Sequence, residues 1–361
     1  VKTLNAGPAP GPPVAREAHP SAGPAGVPGR KPPRNRTAWL LASALALFAA
    51  CVLSLCIGGQ PSSLQEVWHA VFTPTGDVMD VTVRELRWPR TVLGVCAGIC
   101  LGLAGTLVQG HTRNPVADPG LLGINQGAAL AIVAATAVAG ELPALTQAGL
   151  AFAGALAASV LVFMIGSAAR YGATPVTLVL AGAAVTALCS GLVAGIVLLN
   201  DQALDTLRFW QVGSLAGRSG ALDLVWPFIV AGVALALANI RALNALALGS
   251  DTAVSLGISV LRARAVGIGA VTLLAGTAVT LAGPIAFAGL LVPHLTRAIT
   301  GPDYRWLVPL SLFTGATLVL LADTAGRLIA RPGELSVAVV LAVAGAPFFV
   351  YLARRRRLAT L

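Results

Sequence analysis

The groups able to do chemistry in this 361-residue chain are few and widely spaced. Its five cysteines, Cys51, Cys56, Cys96, Cys100 and Cys189, all sit in apolar runs, where a thiol behaves as a small hydrophobe. Cys96 and Cys100 would share a helix face at i,i+4, but no histidine or carboxylate flanks them to complete a metal or redox set. The Gly-x-x-x-x-Gly-Lys-Ser/Thr loop that cradles nucleotide phosphates is missing, and the only lysines, Lys2 and Lys31, lie near the start of the chain. His-Glu-x-x-His and Gly-x-Ser-x-Gly are missing as well. The residues therefore predict a protein that is not an enzyme, has no metal site or cofactor, and cannot hydrolyse ATP by itself.

The elements that must carry these residues are apolar helices. Hydrophobic residues make up 56% of the chain and charged ones 11%, with a mean hydropathy of +0.82, whereas soluble domains carry roughly a quarter charged residues. A bilayer core of ~30 Å asks for about 20 apolar residues per crossing. Charges punctuate the chain to give spans near 38–58, 91–110, 120–139, 148–168, 174–199, 224–241, 265–281, 285–298, 306–323 and 335–353. The fold class is thus all-α, a polytopic membrane protein of about ten transmembrane helices. The uncharged stretch Ala265–Thr296 is too long for one crossing and too short for two full ones, and it is broken at Gly283-Pro284, where non-helical backbone must lie inside protein. Residues 1–36, rich in Pro, Gly and Ala, lack the bulky apolar side chains that offset the entropy of ordering, and read as a disordered cytoplasmic tail. Residues 37–361 form the membrane domain.

The net charge of +10 is almost wholly arginine, and its placement predicts orientation rather than nucleic-acid binding. With both termini in the cytoplasm, most Lys and Arg fall inside, including the run Arg354–Arg357. Arg84, Arg87 and Arg90 in the first outer loop run against that bias. Two segments recur. Ala104-Gly105-Thr106 returns as Ala275-Gly276-Thr277, and Pro115-Val116-Ala117 with Gly120-Leu121-Leu122 returns as Pro284-Ile285-Ala286 with Gly289-Leu290-Leu291. An odd number of helices separates the copies, so they cross in opposite directions, giving inverted repeat halves at about 91–199 and 265–353, an architecture of transporters. The pairs Gly98/Gly102 and Gly191/Gly195 read as close-packing faces. An ion-coupled carrier places carboxylates or histidines at mid-membrane. Here Asp323 and Glu334 flank the last outer loop and His294 lies near an inner end, so a secondary carrier is the second reading and a non-transporting scaffold the third.

Five segments, in order, resemble the FecCD or vitamin B12-type permeases of ATP-binding-cassette importers. They are Arg87-Trp88-Pro89-Arg90, Asn114-Pro115-Val116-Ala117-Asp118-Pro119-Gly120-Leu121-Leu122-Gly123, Leu248-Gly249-Ser250-Asp251-Thr252-Ala253 with Ser255-Leu256-Gly257, Gly283-Pro284-Ile285-Ala286-Phe287-Ala288-Gly289-Leu290 with Pro293-His294 and Arg297, and Gly345-Ala346-Pro347-Phe348. The resemblance implies a permease subunit of the bacterial cytoplasmic membrane. It would work in a dimer, with itself or a close relative, alongside two cytoplasmic ATPase subunits that hold ATP and Mg, and it would take substrate from an extracytoplasmic binding protein. Trp210 with Gly213-Ser214-Leu215 looks more like siderophore permeases than cobalamin ones, with cobalamin or haem as alternatives.

Residue roles follow from the same resemblance. Arg87, Arg90 and Arg327 match arginines that pair with acidic residues of the binding protein. The competing reading is that they sit at lipid headgroups. The loop 241–264, through Leu248, Gly249, Asp251, Ala253, Leu256 and Gly257, resembles a coupling helix that inserts into the ATPase, against an ordinary interfacial helix. Asn114 and Pro115 match a cytoplasmic gate, against a helix C-cap, where Asn is common and Pro often follows. His294 and Arg297 are expected to have a structural or interfacial role. The chain departs from the pattern at Glu334-Leu335-Ser336-Val337-Ala338, which lacks the usual proline and glycine, and at Asp118.

Overall fold

In lipid the backbone can satisfy its polar groups only by pairing with itself, and among the described residues the long apolar runs are helical except at 283–287. The computed structural model describes residues 35–59, 61–168, 174–218 and 220–354. The expected tail up to residue 34 and the basic run after Arg354 lie outside the described residues. The helices are α1 (Arg36–Cys56), α2 (Leu64–Phe72), α3 (Val78–Val81), α4 (Trp88–Thr112), α5 (Ile124–Ala139), α6 (Ala144–Ala168), α7 (Pro175–Leu199), α8 (Asp201–Gln211), α9 (Ala221–Ala238), α10 (Ile240–Ala247), α11 (Ser250–Ser255), α12 (Val260–Ala282), α13 (Ala288–Thr300), α14 (Tyr304–Ile329) and α15 (Val337–Arg354). A π turn over Thr82–Arg87 fuses α3 to α4, and a 3-10 turn over Pro119–Leu122 precedes α5.

Among the described residues, seven helical stretches are long and apolar enough to cross a membrane: α1, the continuous run Val78–Thr112, α6, α7, α9, α12 and α14. Two shorter apolar helices, α5 and α15, accompany them. Each expected span meets a helix, but the stretch at 285–298 does not form one full helix. After α12 the chain turns at Gly283, runs non-helical to Phe287, and begins α13 only at Ala288. Gly283 faces the Trp210 carbonyl and Gly213, so this irregular backbone is covered by protein where it leaves α12. The span at 306–323 extends at both ends into α14 of 26 residues.

The core is organised around α4, which packs against α12, α13 and α14 and has 17 buried residues. Small residues permit this. A Cβ on Gly98 would lie 2.5 Å from the Ala316 Cα, and one on Gly105 would lie 1.9 Å from the Gly289 carbonyl oxygen. Buried hydroxyls stitch the same seam, with Thr106 donating to Ser311 at 2.8 Å. Gly191 and Gly195 on α7, by contrast, face open space. The two recurrent segments meet in the middle of this core. Pro119 and the Asp118 carboxylate lie against Gly289.

Candidate functional site

At the end of the bundle where α1 stops and α4 starts, the last carbonyls of α1 lack intrahelical partners, and arginines supply donors. Arg87 Nη1 donates to the carbonyls of Leu55 (2.8 Å) and Cys56 (3.2 Å) and to Ser62 Oγ (2.8 Å). Arg327 Nη1 donates to the carbonyls of Ser54 (2.9 Å) and Ile57 (2.6 Å), and its Nη2 donates to Ser54 Oγ (2.9 Å). Asp323, only 1% exposed, is the hub. It accepts from Arg90 Nε at 3.0 Å and Nη2 at 2.9 Å, and pairs with Arg327 at 3.2 Å. Arg90 also reaches Glu334 at 2.7 Å.

The three arginines expected from sequence therefore come together. Together with Asp77, Met79, Leu86 and Glu334 they line one open cleft of about 670 Å³. Arg87 and Arg327 are 5% and 2% exposed, so neither reaches out toward headgroups; both are engaged within the subunit. The hub role of Asp323 was missed by sequence reasoning, although its i,i+4 spacing to Arg327 was visible. Also missed were α2 and α3, which fold over this end: Val67 and Ala70 of α2 and Val83 of the π turn cluster with Leu55, and Met79 of α3 packs against them. A Ser63–Glu66 capping box starts α2.

At the opposite end of α4 the chain builds a small module from α10 and α11. Ala245, Leu246 and Ala253 form its core with Ala263 from the first turn of α12. Two glycines make the bends around α11. Gly249 has φ +121° and Gly257 has φ +77°, conformations that favour a residue without Cβ. The outward face carries Leu248, Val254 and Leu256, each at least 60% exposed, with Asp251 beside them. Ala253, expected among the contact residues, is instead fully buried: it anchors α11, and Val254 takes the outward place. The module is tied to the bundle by Asn244, whose Nδ2 donates to Asp303 at 3.0 Å and whose Oδ1 accepts from the Tyr304 N–H at 3.0 Å.

Beside the module, α4 ends at Arg113, which occupies the left-handed region and is the C-cap. Asn114 is thus not the cap. Its Oδ1 accepts from the Val116 N–H at 3.0 Å, forming a local turn around Pro115. Asp118 accepts from the Gly120 N–H at 2.8 Å, while burial pushes its carboxyl above the usual range. Arg297 donates to buried Gln109 at 3.2 Å, and His294 sits edge-on to Phe349.

The model of the FecCD transport family matches residues 46–355. The chain belongs to that family. It is 48% identical to the ferric enterobactin transport system permease protein of Escherichia coli over 86% of this chain and 93% of the relative. It is 36% identical to the hemin transport system permease protein of Yersinia pestis, over 91% and 98%. The cobalamin import system permease protein of Halobacterium salinarum is 33% identical, over 92% and 100%. A solved metal-chelate type ABC transporter in an inward-facing conformation superposes with a TM-score of 0.76 at 25% identity, covering 89% of this chain and 99% of that one. As a FecCD member the chain is a multi-pass transmembrane transport subunit and not a catalytic one.

Proposed function

We propose that this chain is the permease subunit of an ATP-driven importer that moves a ferric siderophore inward. In this reading it crosses the membrane ten times, with both termini in the cytoplasm and inverted halves at about 91–199 and 265–353. The observation that carries it is the module at 241–264. A short helix bracketed by Gly249 and Gly257 presents Leu248, Val254 and Leu256 to solvent from a tied platform. An apolar knob on a rigid mount suits insertion into the groove of a cytoplasmic ATPase, where ATP and Mg are held. The cleft lined by Arg87, Arg90 and Arg327 lies at the opposite end of α4 and is the docking place for an extracytoplasmic binding protein; since these arginines are engaged with Asp323, Glu334 and backbone carbonyls, an acidic residue of that protein would have to compete for them. Asn114 and Pro115 form the cytoplasmic gate. A second permease subunit packs on α7, where Gly191 and Gly195 are open and Leu188 and Leu192 exposed. The higher identity to a ferric enterobactin permease than to hemin or cobalamin permeases supports the siderophore.

The test is affinity purification of the tagged chain from its native membrane, alongside Leu256→Glu and Asp251→Lys, followed by vesicle uptake of ferric enterobactin, haemin and cobalamin. An ATPase that accompanies the parent chain and is lost from the variants, with ATP-dependent ferric siderophore uptake, is the expected outcome. Uptake that persists without ATP and stops when the proton gradient is dissipated would replace this reading with a secondary carrier.

A further inference from the structure

We propose that Arg113 is a positioning residue that ties the ATPase-facing helix α11 to the gate segment Asn114–Pro115, so that displacement of the module is delivered to the end of α4. The inference rests on the reading of 241–264 as the coupling loop. Arg113 Nη2 donates to the Leu246 carbonyl at 2.5 Å and to Ser250 Oγ at 3.4 Å. Leu246 is in the last turn of α10 and Ser250 opens α11, so one guanidinium spans the hinge at Gly249. The backbone of the same residue is the C-cap of α4, and the next two residues are Asn114 and Pro115. Arg113 is therefore bonded to the module through its side chain and to the gate through its main chain.

The backbone conformation argues that the side chain is the reason for this residue. Arg113 has φ +48°, one of two non-glycine residues at positive φ among the described residues. That region is unfavourable for residues with a Cβ, and helices that end in it use glycine or asparagine. A residue serving only as cap would be better as glycine. The strain is retained where a guanidinium of this length reaches the Leu246 carbonyl, which also accepts from the Gly249 N–H, and Ser250 beyond it, contacts that glycine cannot make. A second tie, from Asn244 to Asp303 and Tyr304, fixes the module to α14 but does not touch the segment 113–118.

The experiment compares Arg113→Gly, Arg113→Lys and the parent chain, each reconstituted with its co-purified ATPase, and measures ferric siderophore uptake, ATP hydrolysis and their ratio. Arg113→Gly removes the link while favouring the cap. It is expected to keep the ATPase and its hydrolysis but to lose roughly tenfold in uptake per ATP, the scale of one charged hydrogen bond. Arg113→Lys, which can donate to one carbonyl, should recover part of the ratio. If Arg113→Gly transports with the parent ratio, the residue is only a cap and the inference falls. Should the glycine variant fail to assemble, Arg113→Asn, which also tolerates the left-handed region, is judged by the same ratio. Failure of the underlying reading looks different: the parent chain itself would then bring no ATPase, or Leu256→Glu would not release it.

Discussion

Replacement of Asp323 by alanine tests whether the cleft is held by charge. The carboxylate is 1% exposed and takes three contacts of 3.2 Å or less from Arg90, together with the Arg327 pair at 3.2 Å. Removing it strands a guanidinium that is 2% exposed, and truncating one partner of a buried pair costs about 3–5 kcal/mol. Arg90 keeps Glu334 and Arg327 keeps the Ser54 and Ile57 carbonyls, which places Asp323→Ala near the lower figure. At roughly 2–4 °C per kcal/mol in large domains, that corresponds to a fall of about 6–12 °C. The assay is loss of the monodisperse peak after heating, with all variants in one detergent. The cycle with Arg327→Met completes it. Because both singles break the same contact, the double variant should lose less than the sum of the singles by more than about 1 kcal/mol. A fall of under about 2 °C for Asp323→Ala, or strict additivity, would refute the claim that the hub is a desolvated ion cluster.

Two further outcomes follow from packing. Gly105→Ala would place a methyl 1.9 Å from the Gly289 carbonyl, and overpacking of this kind costs about 1–3 kcal/mol, so its thermal midpoint should fall, whereas Gly191→Ala, facing open space, should leave the isolated subunit unchanged or slightly more stable. Thermal melts of the two side by side check this, and Gly191→Leu should additionally weaken association of two subunits in cross-linking. Asn244→Ala removes two hydrogen bonds to the start of α14 and leaves the Tyr304 N–H short of a partner, while the Asp303 carboxylate keeps Arg36 and the Arg305 N–H; about 1–3 kcal/mol of local stability should be lost, read as faster amide exchange in 240–258 with α4 unaffected.

The long helices were legible because lipid imposes one rule, backbone self-satisfaction over about 20 apolar residues, and hydropathy reports it directly. Gly283-Pro284 was legible for a related reason: proline has no N–H and cannot extend α12. What followed was not, because the non-helical run to Phe287 is apolar and reads like helix. The short elements escaped for the opposite cause. α2, α8 and α11 are only 9, 11 and 6 residues long, and the charges and polar groups on the first two made them resemble loops. Six residues hold less than two turns, so no periodicity could tell that Ala253 points inward and Val254 outward. Arg87 and Arg90 stood out because their charge runs against the expected orientation, and Arg327 through the family resemblance. Their engagement with carbonyls and Asp323 could not be read, because it depends on three helices meeting.

The placement of these groups on one helix bears on how such a subunit could transmit force. Arg90 and Arg113 lie near the two ends of α4, separated by about 35 Å at 1.5 Å per residue. Between them α4 is almost wholly buried, with Gly98 and Gly102 seated against α14 and Gly105 against α13. Close-packed interiors yield little under load, so α4 cannot bend independently of α12, α13 and α14, and motion at one end must appear as motion of the whole unit or not at all. The helices that lack such contacts are elsewhere: α7 has 22% of its apolar window buried against 78% for the stretch Val78–Thr112. Under the proposed reading, a stiff strut with arginine contacts at each end suits rigid-body motion. In that reading α4 connects the cleft with the module.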